Sequence, residues 1–311
     1  MARYAPAALV AALLVATALA FAYTEQLKLT PSPIIRTKVT KVFSPVCGCE
    51  TGRASIGFSL RNADRVEIDI VRGRSDVVRH LVVGREHPRG RLEVTWNGRD
   101  DAGRLVAEGA YKPRVKLARQ RRTIVLPNVI RVDVTAPTVE LTRLAPRVFS
   151  PDSDQRADRV IVGYKASEPA RVSLWVDGRR AVLKKGQKAK GTIDWFGTVD
   201  GAALPRGPHR LEVEAVDVAG NVGARTKPKT VIVRYVALGR RRIEVRAGGR
   251  IAVLVLTDAA RIEWKLGART GSAHPGTLRL RAPFQPGRFT LTVTVNGHSA
   301  RAAVIVRSTG P

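Results

Sequence analysis

The chain has 311 residues and a formal net charge of +28, with 44% hydrophobic and 5% aromatic residues. That gives room for two or three domains of roughly 100–150 residues each, excludes a disordered chain, and leaves the cores to Val, Leu, Ile and Ala. Nucleophile-elbow, zinc-protease, phosphate-loop and dinucleotide motifs are all missing, so the chain reads as a protein that is not an enzyme.

The first element is an apolar run from Ala7 to Tyr23, broken only by Thr17, preceded by Arg3 and followed by Glu25 and Lys28. Its length falls between a signal-peptide core of ~7–15 residues and a spanning helix of ~20. Ala18, Ala20 and Ala22 supply small-residue cleavage patterns. Residues 1–24 are thus read as a signal anchor or a cleaved signal peptide. Both readings place the remainder outside the cytoplasm, either membrane-anchored with the cell membrane as a partner, or secreted. Positive charge does not oppose export of long domains. The charge itself favours anionic surroundings. Anionic envelope polymers or another surface protein suit the compartment, whereas export argues against nucleic acid. The alternative source of the charge is Arg-rich codon bias, because Arg far outnumbers Lys. The clusters Arg119-Gln120-Arg121-Arg122, Lys184-Lys185 with Lys188 and Lys190, and Arg240-Arg241-Arg242 lack the interleaved aromatics that stack on bases.

Residues 25–41, polar and holding Pro31 and Pro33, read as an extended stalk. A repeat begins beyond them. Val42-Phe43-Ser44-Pro45 returns as Val148-Phe149-Ser150-Pro151. Gly57 aligns with Gly163, Phe58 with Tyr164, and Arg65-Val66 with Arg171-Val172. Further along, Trp96-Asn97-Gly98 matches Trp195-Phe196-Gly197, Asp101 matches Asp200, Leu105 matches Leu204 and Gly109 matches Gly207. Self-similarity at a domain-sized period means tandem copies of one fold.

Within the copies the dominant period is two. Val66, Ile68 and Ile70 alternate with Glu67 and Asp69, and Leu211, Val213 and Ala215 alternate with Glu212 and Glu214, as in half-buried antiparallel strands. Turn signals recur at Asn97-Gly98, Asp177-Gly178 and Asp200-Gly201. The expectation is an all-β chain of sandwiches over 42–136, 137–236 and 237–311. The third lacks the Phe-Ser-Pro block but carries an alternating Phe289–Val295 run followed by Asn296-Gly297, a strong hairpin signal.

Phe-Ser-Pro at the module start, the Asp64–Ile70 strand and Trp96-Asn97-Gly98-Arg99-Asp100-Asp101-Ala102-Gly103 with Gly109-Ala110-Tyr111 together resemble the FlgD-like immunoglobulin-like domain. The second copy also carries Asp217-Val218-Ala219-Gly220-Asn221, similar to the ending of many bacterial Ig-like repeats. The resemblance covers 42–118 well and 148–215 more loosely. It implies tandem Ig-like or fibronectin-III-like sandwiches that are non-catalytic and structural, adhesive or ligand-presenting. The alternative is a scaffold that binds carbohydrate or anionic polymer for a separate envelope enzyme. Independently of the name, Trp96 and Trp195 can cap the cores, Gly98, Asp101, Gly103, Gly197 and Asp200 suit tight turns, and Tyr111 reads as the start of the last strand.

Three further features have more than one reading each. Cys47-Gly48-Cys49 can close a small disulfide ring, Gly48 permitting the bend, or it can act as a dithiol or bind metal. Asp152, Asp154 and Asp158 can gather a hard cation such as calcium, or make turn hydrogen bonds; no other cofactor is implied. Trp175 falls outward if Leu174 and Val176 face the core, and so either stacks on a sugar or packs beneath a neighbour. The five histidines share no metal-ligand spacing.

Overall fold

The computed structural model describes residues 5–29 and 31–308, with the side chains of 9–22 in the N-terminal helix. The chain divides into two compact units, 1–134 and 135–311.

In the first unit, helix α1 (Ala5–Leu29) precedes the strands. Ala and Leu are the best helix formers, which accounts for an uninterrupted helix here. Among the described residues no helix is long and apolar enough to cross a membrane. The described residues therefore lend the expected anchor no support.

Nine strands follow: β1 (Ile34–Val39), β2 (Val42–Phe43), β3 (Ala54–Leu60), β4 (Asp64–Arg72), β5 (Asp76–His87), β6 (Gly90–Trp96), β7 (Gly109–Leu117), β8 (Arg122–Val125) and β9 (Ile130–Val132). They form one sheet in the order β1-β3-β6 and a second in the order β2-β9-β7-β4-β5, with β8 on β7. The β2–β9 pairing is parallel and the others are antiparallel. This is the A-B-E and G-F-C-C′ arrangement of an immunoglobulin-type sandwich. Phe43, Ile56, Phe58, Val66, Ile68, Ile70, Trp96 and Val115 fill the space between the sheets and are fully buried or nearly so. Two expectations are corrected here. The stalk expected over 25–41 includes β1, because Ile34 pairs with Leu60 and joins the core. Tyr111 does not open the last strand; it lies in β7, and the short β8 and β9 follow.

The second unit holds two sandwiches with separate cores. The first of them contains β10 (Val139–Ala145), β11 (Val148–Phe149), β12 (Val160–Val176), β13 (Arg179–Trp195), β14 (Thr198–Val199), β15 (Ala202–Ala203), β16 (Gly207–Val216) and β17 (Lys229–Val233). Its topology repeats the first sandwich, except that two pairs of strands are merged into long ones, a small β14–β15 pair is added and β8 has no counterpart. The 17-residue β12 runs through where the first copy has two strands, β3 and β4. Its early part pairs with β10 and its later part with β16, so it passes from one sheet to the other. β13 follows it along its length, corresponding to β5 and β6 joined.

The remaining strands are β18 (Ala237–Leu238), β19 (Arg242–Arg246), β20 (Arg250–Leu256), β21 (Ile262–Leu266), β22 (Arg269–Ala273), β23 (Gly276–Arg281), β24 (Gly287–Val295) and β25 (His298–Arg307). Sheets β18-β20-β23 and β19-β25-β24-β21-β22 reproduce the same order, including a parallel β19–β25 pair. The Asn296-Gly297 hairpin forms, with φ of 46° and 80°, as a type I′ turn requires.

Candidate functional site

The two repeated motifs pack against each other in both copies. In the first, the Trp96 ring meets Phe43 edge-on at 5.5 Å and Tyr111 at 5.2 Å. Its Nε1–H donates to the Arg99 carbonyl at 3.0 Å. Gly98 sits at φ 71°, and a Cβ there would come within 2.8 Å of Pro45. In the second copy Trp195 lies 5.3 Å from Phe149, its Nε1–H donates to Thr198, and a Cβ on Gly197 would meet Pro151 at 2.7 Å. Phe-Ser-Pro and Trp-x-Gly are therefore two halves of one plug closing the end of the sandwich. Glycine is required because the proline ring occupies the Cβ position and because φ is positive.

Asp101 and Asp200 are also equivalent, and each reaches the neighbouring strand. Asp101 accepts from the His80 N–H at 3.0 Å and from His80 Nδ1 at 2.6 Å. These bonds, the backbone one first, hold its carboxyl below the usual range. Asp200 has a φ of 50° and takes the Arg179 guanidinium. Gly103 has a φ of 79° with open space around it.

Cys47 and Cys49 are joined as a disulfide, their Cα atoms 5.2 Å apart, with Gly48 at φ 62°. The bridge pins the loop that follows Pro45.

At the equivalent place in the second copy, oxygens of Asp152, Asp154 and Asp158 lie within 4.8 Å of one another. The loop already uses two of them. Asp158 accepts from the Ser153 and Gln155 N–H groups at 2.7 Å each, and Asp154 accepts from Arg156 at 2.8 Å. Such bonds support the positive φ of Ser153, Gln155 and Ala157. The trio has donor atoms suited to a hard cation, but Asp154 and Asp158 serve the turn.

Asp152 instead belongs to a joint between the two sandwiches of the second unit. It accepts from Asn296 Nδ2 at 3.0 Å. The Ser150 hydroxyl, fully buried, donates to Asp258, and Arg206 donates to the Ser299 carbonyl at 2.8 Å. Tyr235 stacks on His298 at 3.5 Å with planes 4° apart. Burial, partly offset by the Ser150 bond and reinforced by the charges of Asp154 and Asp152, pushes the Asp258 carboxyl up. Sequence reading missed this joint, since Asp258 lies 108 residues from Ser150.

Trp175 does fall on the outer side of its sheet, but the Arg225 guanidinium covers its ring at 3.5 Å. That cation–π contact leaves it half-buried. Asp69, expected outward by alternation, is fully buried, because Arg114 at 2.7 Å and Lys116 at 3.5 Å close over it.

No curated protein matches the chain. Among solved structures, it is similar to the fibronectin(III)-like modules of Clostridium thermocellum CbhA. There the identity is 16% over 64% of this chain and 94% of that one, with a TM-score of 0.35. The tetra-tandem repeat from the extending region of a large adhesion protein matches at 14% identity over 86% and 73%, TM-score 0.28. The Bacteroides ovatus SGBP-B of a mixed-linkage glucan utilization locus, in complex with a mixed-linkage heptasaccharide, matches at 12% over 90% and 70%, TM-score 0.22. Scores this low carry no inference about this chain. Residues 46–120, which span the disulfide, the Trp-x-Gly half of the plug and Tyr111, match the family model of the FlgD Ig-like domain.

Proposed function

We propose that this is an exported, non-catalytic protein of the cell envelope whose tandem Ig-like sandwiches space and present binding surface. The observation that carries the reading is the joint in the second unit. Two sandwiches with separate cores are tied by the Ser150–Asp258 and Asp152–Asn296 bonds and by the Tyr235–His298 stack. Such side-chain ties suit a strut better than a hinge. Export rests on the apolar N-terminal run, read as a signal anchor or a cleaved signal. The net charge of +28 directs the presented surface toward anionic envelope polymers.

Fractionation of cells expressing the full chain, with intact-mass analysis, tests the reading. A membrane-bound product that keeps Met1 or Ala2 is expected for an anchor, and a soluble exported product beginning near Phe21 or Tyr23 for a cleaved signal. A full-length product confined to the cytoplasm would falsify the envelope role.

A further inference from the structure

The repeat places cationic depressions at overlapping positions in the two copies. In the first sandwich the depression measures about 430 Å³, and Arg89 and Arg91 contribute to its wall. Aligning Trp96 with Trp195 puts Arg89 and Arg91 on Lys188 and Lys190 of β13. It also puts the Phe58–Leu92 pair on the Tyr164–Gly191 pair. The second depression measures about 630 Å³ and is lined by Lys184, Lys185, Lys188 and Lys190, with Tyr164 and Thr192.

The second depression differs from a solvated basic face in several ways. In the first copy Glu93 pairs with Arg91 at 2.8 Å; its counterpart is Thr192, and the second lining holds no carboxylate. The β12–β13 ladder is irregular at this place. Leu183 pairs with Ser173 and Gln187 with Arg171, so Lys184, Lys185 and Gly186 bulge against a single residue of β12. Bulges re-aim side chains where a strand bends. A Cβ on Gly191 would come within 2.7 Å of the Tyr164 hydroxyl oxygen, so glycine is what admits that ring beside the lysines. The composition points the same way. Only 13 of the 54 cationic residues are lysines, yet four of them fall within 184–190, where no arginine occurs. A general bias toward Arg does not produce that run.

Uncompensated charges around a concave wall concentrate anions locally. Lysine meets them as a flexible point charge, without the planar fork by which arginine grips a single carboxylate or phosphate bidentately, so the four lysines suit a repeating polyanion held by charge rather than one group held by geometry. No exposed aromatic lines the depression to stack a base, since Tyr164 is buried. We infer that this lysine-lined depression binds a linear anionic polysaccharide. The inference deepens the polymer-presenting reading above and rests on it for the compartment.

The test is calorimetric titration of the full chain with a size-fractionated oligogalacturonate at two or more salt concentrations. Three proteins are compared: the parent, Lys188→Gln/Lys190→Gln, and Arg240→Gln/Arg241→Gln, which removes equal charge elsewhere. The lysine pair is expected to weaken binding about tenfold and to flatten the salt dependence of log Kd by about one to two units of slope, with the arginine pair changing Kd by less than about twofold. Equal losses in both variants would overturn the site in favour of a diffuse field. Tighter, equally lysine-dependent binding of duplex DNA or of phosphatidylserine vesicles would overturn the polysaccharide. Lysine-dependent binding by a chain that stays in the cytoplasm would uphold the site and defeat the envelope role instead.

Discussion

Tyr111 and His209 occupy the same position in the two copies and make the same bond. The Tyr111 hydroxyl donates to the Ala107 carbonyl at 2.6 Å, and His209 Nε2–H donates to the Pro205 carbonyl at 2.8 Å, each four residues upstream. This is the corner that fixes the turn into the sixth major strand of Ig-like sandwiches. The histidine adds a second tie, because its Nδ1 also lies 2.7 Å from an Asp177 carboxylate oxygen.

Tyr111→Phe removes one hydroxyl and is expected to cost about 1–2 kcal/mol in the first unit. His209→Phe leaves both the Pro205 carbonyl and Asp177 without their ring partner and is expected to cost more, about 2–3 kcal/mol. Urea unfolding followed by Trp fluorescence reads both. Equal costs would mean that the Asp177 tie adds nothing.

The same tie predicts a pH dependence. Burial opposes ionisation of Asp177, but the Arg210 N–H and His209 outweigh it, and the carboxyl is held below its usual value. A carboxylate with a lowered folded pKa adds stability that is present above its unfolded pKa and lost as pH falls through the folded one. The second unit should therefore lose stability on acidification below the ordinary carboxylate range. Asp177→Asn should flatten that loss in a series of melts across pH.

Asp258 has the opposite sign. Its raised carboxyl makes ionisation unfavourable to the folded joint, so its stabilising protonated form is lost as pH rises through the folded pKa. Asp258→Asn keeps an oxygen to accept from Ser150 and removes the charge. The expected result at neutral pH is a melting temperature higher by ~2–4 °C, about 1 kcal/mol, for the second unit. The gain should shrink as pH is lowered, and a lower melting temperature at neutral pH would show that the charge itself is needed.

The plug predicts a graded set of glycine substitutions. Gly98→Ala and Gly197→Ala place a Cβ at 2.8 and 2.7 Å from a proline ring, at a positive φ. Each should cost about 2–3 kcal/mol. Gly103→Ala meets no atom within 4 Å and should cost only about 1 kcal/mol for its backbone. Denaturant midpoints rank the three.

Because Asp154 and Asp158 already hold their loop through N–H donors, chelation should leave the melting temperature unchanged within about 1 °C. A rise of several degrees on adding millimolar calcium would instead assign the trio to a metal.

The sequence by itself determined what is local. Alternation along Val66–Ile70 or Phe289–Val295 prescribes strands because the side-chain period of a strand is two. Asn296-Gly297 and Asp177-Gly178 prescribe tight turns because few residues tolerate positive φ. The recurrence of Phe-Ser-Pro and Trp-x-Gly announced a duplicated fold. Tertiary structure alone decided what those signals do to one another. That Pro45 fills the space a Cβ on Gly98 would need, that Asp69 is sealed by Arg114 and Lys116, that Arg225 covers Trp175, and that Asp258 meets Ser150 all depend on contacts between residues far apart in the chain. Periodicity reports which face a side chain takes; it carries no information about what packs over that face, and burial, charge pairing and the lysine-lined depression are all set by that second layer.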